Sequence, residues 1–251
     1  MTRFQLGKRP AKRDARNFKL ASILKKKLAL PVSYDCDTNL GGKIKPQKFA
    51  NDSWGDCVVA SRAHQTLRFE YFEQKEVLPI TDDEVLAEYW LEQGDITTKN
   101  DEGLVVLVSL NSWRKQGWKV HGEVYDIYAF AEIDRTNHEE VKTGIRHLNG
   151  ACVGLLLPTS AQCQFAFYLR WNVSKWCDSE PGSLGGHCVY LVGYDSKGPI
   201  CLTWGRKQKM SWAFFDKFCD EAYCIVDNRD NFVEDSPVDV EVLDGYLQSL
   251  K

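Results

Sequence analysis

No stretch of the 251-residue chain comes near the 18 or so consecutive apolar residues that a membrane-spanning helix needs. A secretory leader is also missing. The basic N-terminus leads only to LALPV, too short for a leader's apolar region and set behind LKKK. The expected location is therefore cytoplasmic or particle-associated, without classical secretion and without a membrane partner. None of the nine cysteines (36, 57, 152, 163, 177, 188, 201, 219 and 224) stands in a C-x-x-C pair, and none joins histidines at zinc spacing. A structural metal is not expected and no cofactor is called for. Without an oxidising compartment most of these thiols should be reduced, and the odd count leaves at least one without an intramolecular partner. Internal repeats and low-complexity segments are lacking too, which excludes solenoid architectures.

What remains is an ordinary globular composition, 43% hydrophobic and 27% charged, long enough for one large domain or two lobes around a cleft. The net charge of -3 says little, but its distribution is uneven. Residues 1–27 carry ten Lys/Arg and a single acid, Asp14, while the stretch from Asp227 onward is acidic. The expected division is a basic arm and extended segment over 1–45, a folded domain over 46–226 and an acidic tail over 227–251. Within the domain, 46–117 should be mainly helical and 118–226 mainly β. A polar basic arm is expected to be a solvated extension that docks on a protein assembly partner. No base-reading module accompanies it, so nucleic acid is not the expected partner.

The arm is followed by LPVSYDCDTNLGGKIKPQKF, dense in Pro, Gly and Asp and without helical period. A helix is expected from Asp56 to about Gln74, with Val59, Ala60, Ala63, Leu67 and Tyr71 as its apolar stripe. Thr81 and Glu84 have the spacing of a capping box opening a second helix. LVVLVSLNSWRKQ should be a third, closed by Gly117. Then the texture changes. GACVGLLLP, GGHCVYLVGYD and GPICLTWG are apolar runs of strand length bounded by Gly, Pro and Asp. SWAFFDKFCDEAYCIVD reads as a short helix passing into a last strand. Helices first and strands later indicate an α+β chain with segregated lobes.

Within NDSWGDCVVASRAHQ, Cys57 begins the first long helix, where unpaired N–H groups and the helix dipole would lower a thiol pKa. Asp56 works against this unless its carboxylate is engaged in capping. A cysteine nucleophile also needs a base. His64 is two turns along the same helix, about 10 Å away, and should serve packing. His121 and His138 lie in polar surroundings and His147 in a helix-like run. His187 opens a strand after a double glycine, 130 residues after Cys57, within the separation of about 130–150 known for one class of thiol hydrolases. Each residue also has a plainer reading: Cys57 as a small buried apolar group, His187 as a hydrogen-bonded core histidine.

Taken together these segments resemble the papain-like cysteine peptidase superfamily. NDSWGDCVVAS resembles its glutamine-x5-cysteine helix start, with Asn51 where the oxyanion-hole glutamine would stand. TDDEVLAEYW resembles the following helix, and DEGLVVLVSLNSWRKQGW the Gly-rich turn and helix that lead to an aromatic-rich strand. GACVGLLLP and GGHCVYLVGYD resemble the strands around the catalytic histidine, and TWG the Trp-Gly after the catalytic asparagine. The likeness runs from about residue 46 to 226 and is nearest in texture to bacterial and phage-type relatives. It implies a helical lobe and a β-barrel-like lobe with the active-site cleft between them. Cys57 would be the nucleophile, His187 the base and then the acid, and Asn51 with the Cys57 N–H the oxyanion donors. The substrate would be a protein or peptide cleaved at a peptide or isopeptide bond through a thioester, with no cofactor.

Two positions depart from that pattern. Leu202 stands where the asparagine that orients the histidine is expected. Thr203 is the nearest polar substitute, on the opposite face of its strand. Asn51 is one methylene shorter than glutamine, so donor distances of about 2.7–3.1 Å to an oxyanion depend on a backbone shift. A degenerate papain-fold structural or binding protein, such as a phage-particle or assembly component, is the alternative, with the basic arm and many cysteines serving contacts. A cell-wall amidase of the NlpC type also starts a helix with Asp-Cys, but keeps its histidine much nearer. Residues 1–45 are short for an inhibitory propeptide and lack a helical pair, so a docking arm is the expectation.

Overall fold

The computed structural model describes residues 4–25, 29–94, 97, 100–175, 178–228 and 238–249. Cys177 and much of the expected acidic tail lie outside them. The first half is helical. A two-residue strand β1 (Tyr34–Asp35) runs into a single turn, α1 (Cys36–Asn39), within the segment that shows no helical period. Asp35 explains the turn, accepting a hydrogen bond from the Thr38 N–H as its N-cap. Then come α2 (Cys57–Gln74), α3 (Asp82–Gln93) and α4 (Val106–Gln116). α3 opens on the expected Thr81/Glu84 capping box, and α4 ends at Gly117, whose φ of 67° suits glycine.

The amphipathic stripe foreseen for α2 is only part of its surface. Every residue from Cys57 to Phe69 is buried, the polar ones included. The polar face is held by ion pairs. Arg62 Nη1 donates to Glu88 Oε1 at 2.9 Å, and Nη2 pairs with Glu92 and Ser109. Arg68 Nε donates to Asp37 at 2.9 Å. α2 is therefore the central helix of its lobe, wrapped by α3, α4 and the α1 turn.

A hairpin follows, β2 (Trp118–Val120) with β3 (Glu123–Tyr125), joined by His121 and Gly122 at φ 50° and 85°. Two residues of positive φ between antiparallel strands form the turn whose twist matches the strands. The second half is β4 (Ala129–Glu132), α5 (His138–His147), β5 (Ala151–Leu157), α6 (Thr159–Ala166), β6 (Gly185–Asp195), β7 (Gly198–Thr203), β8 (Arg206–Lys209), α7 (Trp212–Phe218) and β9 (Cys219–Val226). α8 (Val240–Ser249) follows, within the stretch expected as a tail. The strands form one antiparallel sheet in the order β4-β9-β5-β6-β7-β8, with β1 also on β6. β5 and β6 are buried along nearly their whole length, which is why they read as unbroken apolar runs rather than alternating ones.

Two large cores result. One lies under α2, α3, α4 and the β2–β3 hairpin; the other joins the sheet to α5, α6, α7 and α8. Their seam is where the N-terminus of α2 meets β6. The basic arm does not project from this body. Residues 4–25 lie along it, with Leu20 and Ile23 fully buried in the second core.

Removal of the Arg62 charge should show how much the lobe depends on its buried network. Arg62→Met would leave Glu88 and Glu92, 7% and 6% exposed, without their cation. A loss of about 3–5 kcal/mol in unfolding free energy is expected from urea titration. A loss below about 1 kcal/mol would mean that water reaches the carboxylates.

Candidate active site

Cys57 is the first residue of α2 and only 1% exposed. Its Sγ accepts the Cys188 N–H at 3.3 Å, so the thiol meets β6 at the residue after His187. His187 is fully buried. Its Nε2 lies 2.7 Å from Thr203 Oγ1, and its Nδ1 has no hydrogen-bond partner among the described residues. Residues 202 and 203 alternate along β7 as a strand requires. Leu202 faces a small cluster with Cys36, Tyr190, Val192 and Ile200, so Thr203 is turned to the histidine. The hydroxyl occupies the place where an asparagine amide was expected. It differs in one respect: a hydroxyl both donates and accepts, so it orients the ring without fixing its tautomer.

Trp204 covers this pair. β7 and β8 are joined by Trp204 and Gly205, at φ 47° and 80°, another two-residue hairpin turn. The turn lays the indole over the imidazole, centroids 4.6 Å apart and planes 20° from parallel. Asn51 is buried on the other side. Its Nδ2 donates to Asp56 Oδ1 at 2.8 Å and to the Trp54 carbonyl at 3.3 Å, so both amide hydrogens are engaged within the loop before α2. Asp56 makes no side-chain cap, and burial pushes its carboxyl well above the usual range. His64 packs on Phe49, centroids 4.8 Å apart. The cavity between Cys57, Asn51, His64, Cys188 and Trp204 is about 10 Å³, too small for a substrate.

The cleft is filled by the chain's own N-terminal residues. The Gly7 carbonyl accepts the Leu104 N–H at 2.7 Å and the Arg9 N–H donates to the Leu104 carbonyl at 2.8 Å, a parallel bridge to the helical lobe. On the sheet side, the Lys8 N–H donates to the Gly186 carbonyl at 3.1 Å. Gly7 lies against Gly55, two residues before Cys57, and its backbone acts to lower the thiol pKa. Phe4 stacks on the outer face of Trp204 at 4.4 Å. Nothing in residues 1–45 signalled this path, because the contacts join positions about 50 to 200 residues apart and leave no local pattern.

Covered in this way, neither group is ionised. Burial pushes the Cys57 thiol up to about 12, against hydrogen bonds from Cys188 and Gly7 that act in the opposite sense. Burial lowers the His187 imidazole to about 3. The eight described cysteines are all free thiols; Cys152 and Cys188 have their sulfurs 3.4 Å apart, within thiol hydrogen-bond reach and without a disulfide.

No family model and no curated protein matches the chain by sequence. Solved structures do. Xylellain, a cysteine protease from Xylella fastidiosa, superposes with a TM-score of 0.66 at 15% identity, over 90% of this chain and 97% of that one. A cysteine protease of Carica candamarcensis matches at 0.56 and 13% identity, over 79% and 100%. The cysteine protease and lectin-like domains of Cwp84, a surface-layer-associated protein of Clostridium difficile, match at 0.58 and 11%, over 89% and 56%. The chain has the papain-like fold. In this chain α2 and β6 meet at the Cys57–Cys188 contact, and residues 4–9 lie along that seam.

Because Gly7 has no side chain, it can lie against Gly55: a Cβ on Gly7 would fall 1.6 Å from the Gly55 oxygen. Gly7→Ala should therefore lift the strand from the cleft. Iodoacetamide labelling at pH 8, read by peptide mapping, should show Cys57 inert in the wild type and at least about tenfold faster in the variant. Equal rates would show that the strand does not shield the thiol.

Proposed function

We propose that the chain is a papain-like thiol hydrolase acting on peptide bonds and held inactive in this structure by its own N-terminal strand. One observation carries the reading. The cleft beside Cys57 already binds an extended peptide backbone through main-chain groups on both lobes, Leu104 on one side and Gly186 on the other. Recognition of that kind is independent of sequence and is what a hydrolase of polypeptides requires.

With the strand displaced, Cys57 Sγ is the nucleophile and His187 Nδ1 the base. Thr203 Oγ1 accepts from Nε2–H, leaving the Nδ1 lone pair free for the thiol proton. Thiolate attack forms the C–S bond and an oxyanion, for which the Cys57 N–H at the helix start is a donor. The imidazolium then protonates the leaving amine, and water hydrolyses the thioester. Asn51 is the second donor candidate; to serve, its amide must exchange the Asp56 carboxylate for the oxyanion. In the present covered arrangement the Gly7 carbonyl is engaged by the Leu104 N–H, so the strand is not presented for attack.

Leu202 favours a second reading, a binding scaffold whose site has lost turnover, because the orienting group is a hydroxyl on the neighbouring residue. Uncovering tests the two. Loss of burial moves the thiol pKa down and the imidazole pKa up, toward each other and toward an ion pair. In Gly7→Ala protein, Cys57 alkylation should titrate below the usual thiol value of about 8.5, and His187→Ala should remove that inflection. Turnover of a denatured protein substrate should vanish in Cys57→Ser. Thr203→Val should lower kcat/KM about tenfold to a hundredfold, about 1.4–2.7 kcal/mol. A thiol that titrates normally with or without His187, and no turnover, would leave the scaffold reading.

A further inference from the structure

Lys8 does more than pass through the cleft. Its side chain is fully buried, with Nζ donating to Asp220 Oδ2 at 2.8 Å and 3.1 Å from Glu221 Oε1. Nζ also reaches the Arg9 carbonyl at 3.3 Å, and the Tyr223 hydroxyl donates to Glu221 Oε2 at 3.3 Å. Burial works to lower the Lys8 ammonium, but the charges and hydrogen bonds of Glu221 and Asp220 outweigh it and hold the proton on.

The path of the side chain depends on Gly154. A Cβ there would lie 2.1 Å from Lys8 Cε and 2.7 Å from Glu221 Cγ. Gly154 pairs with Cys188 on β6 and with Glu221 on β9, so the three form a row across adjacent strands. At one end of the row the Cys188 N–H is bonded to Cys57 Sγ. With strands about 4.8 Å apart, the acidic end is roughly 10 Å away. Asp220 and Glu221 also border a cavity of about 710 Å³ whose walls include Glu132, Asp134 and Glu140, against one cation from outside the arm, Arg135.

A buried ammonium is costly unless paired, and so is a buried carboxylate such as Glu221 left without its cation. The arm meets both requirements only while it is in place. When it leaves, the carboxylates keep their positions on β9 and lack their counter-charge. We infer that Gly154, Asp220 and Glu221 form a cation socket that selects lysine or arginine in the substrate, beside the residue lying over Cys57. This rests on the reading of the chain as a peptide hydrolase. An uncharged side chain of the same length fits the socket sterically and leaves the acids unpaired.

The test uses the full chain carrying Gly7→Ala and Lys8→Ala, so that the arm can neither lie on Gly55 nor refill the socket. Acetyl-X-Gly chloromethyl ketones, with X lysine, norleucine or glutamate, alkylate Sγ with loss of chloride and mirror the Gly7–Lys8 pair. The lysine probe should react at least about tenfold faster than norleucine, with glutamate slowest, and Asp220→Asn with Glu221→Gln should bring the lysine-to-norleucine ratio to about one. In parallel, fluorescence anisotropy compares binding of the peptide Phe-Gln-Leu-Gly-Lys-Arg-Pro with its norleucine analogue, a readout that needs no chemistry. Alkylation at equal rates overturns the socket and leaves the hydrolase reading standing. Lysine-selective binding without alkylation by any probe sinks the hydrolase reading and leaves the socket as a binding site. No lysine advantage in either measurement overturns the socket.

Discussion

The backbones of Gly7 and Gly55 touch across the cleft, and most of what surrounds Cys57 follows from that contact. A Cβ at residue 7 has no space, and one at Gly103 or Gly186 would fall 2.0 or 2.2 Å from the carbonyl oxygens of Gly7 and Lys8. Four glycines thus let two lobes close on a third strand at main-chain distance. Asp101 braces one side, accepting the Gly55 N–H at 2.9 Å, while the Tyr89 hydroxyl donates to Asp101 and accepts the Gly103 N–H. Side chains at any of the four positions would hold the strand off, and water would reach the sulfur. Close approach of this kind is the reason glycine is needed here, apart from any turn.

Exclusion of water then decides the electrostatics. A helix N-terminus stabilises a thiolate by up to about 2 kcal/mol in favourable geometry. Burial works the other way and carries the Cys57 thiol from 9.0 to about 12, on the order of 4 kcal/mol. Burial wins, and the same exclusion keeps His187 neutral. Position at a helix start therefore does not by itself make a reactive cysteine; it does so once solvent is admitted. The covering strand shifts both groups chiefly by keeping water out.

Much of this arrangement is legible in the sequence because its signals are local. The capping box at Thr81, the stop at Gly117 and the apolar runs of β5 and β6 each depend on a few neighbouring residues. The same holds for Cys57 at the start of α2 and His187 on a strand. Alternation along β7 also places Thr203 opposite to Leu202, although only the structure shows that its face is the one His187 occupies. What is not legible depends on distant partners. The polar face of α2 looks like a solvated face until Glu88, Glu92 and Asp37 are brought to it. The basic arm looks like a free extension for the same reason: Lys8 finds its acids more than two hundred residues later. The hairpin at His121–Gly122 does have a local signal, positive φ at a glycine and its neighbour, but three-residue strands give too little alternation to frame it.

Trp204 bears on the choice between an idle scaffold and a working site. It is a bulky residue at φ 47°, a conformation that costs of order 1 kcal/mol or more and persists only where the surroundings over-determine it. The strain places one indole between His187 and Phe4, so the same ring covers the imidazole and holds the arm. A site that had only to bind the arm could use any apolar surface for Phe4, with no need to shield the Thr203–His187 hydrogen bond. The bond, covered by a strained tryptophan in a cleft that the strand closes, is what the proposed hydrolase would need once the strand leaves. Tethering strengthens the point. A strand on the same chain competes at an effective concentration of order millimolar, so a substrate gains entry either by matching what holds the arm or after the arm is removed. Lys8 in its acidic pair and Phe4 on Trp204 are the arm's two anchors, one on either side of Gly7 along the chain.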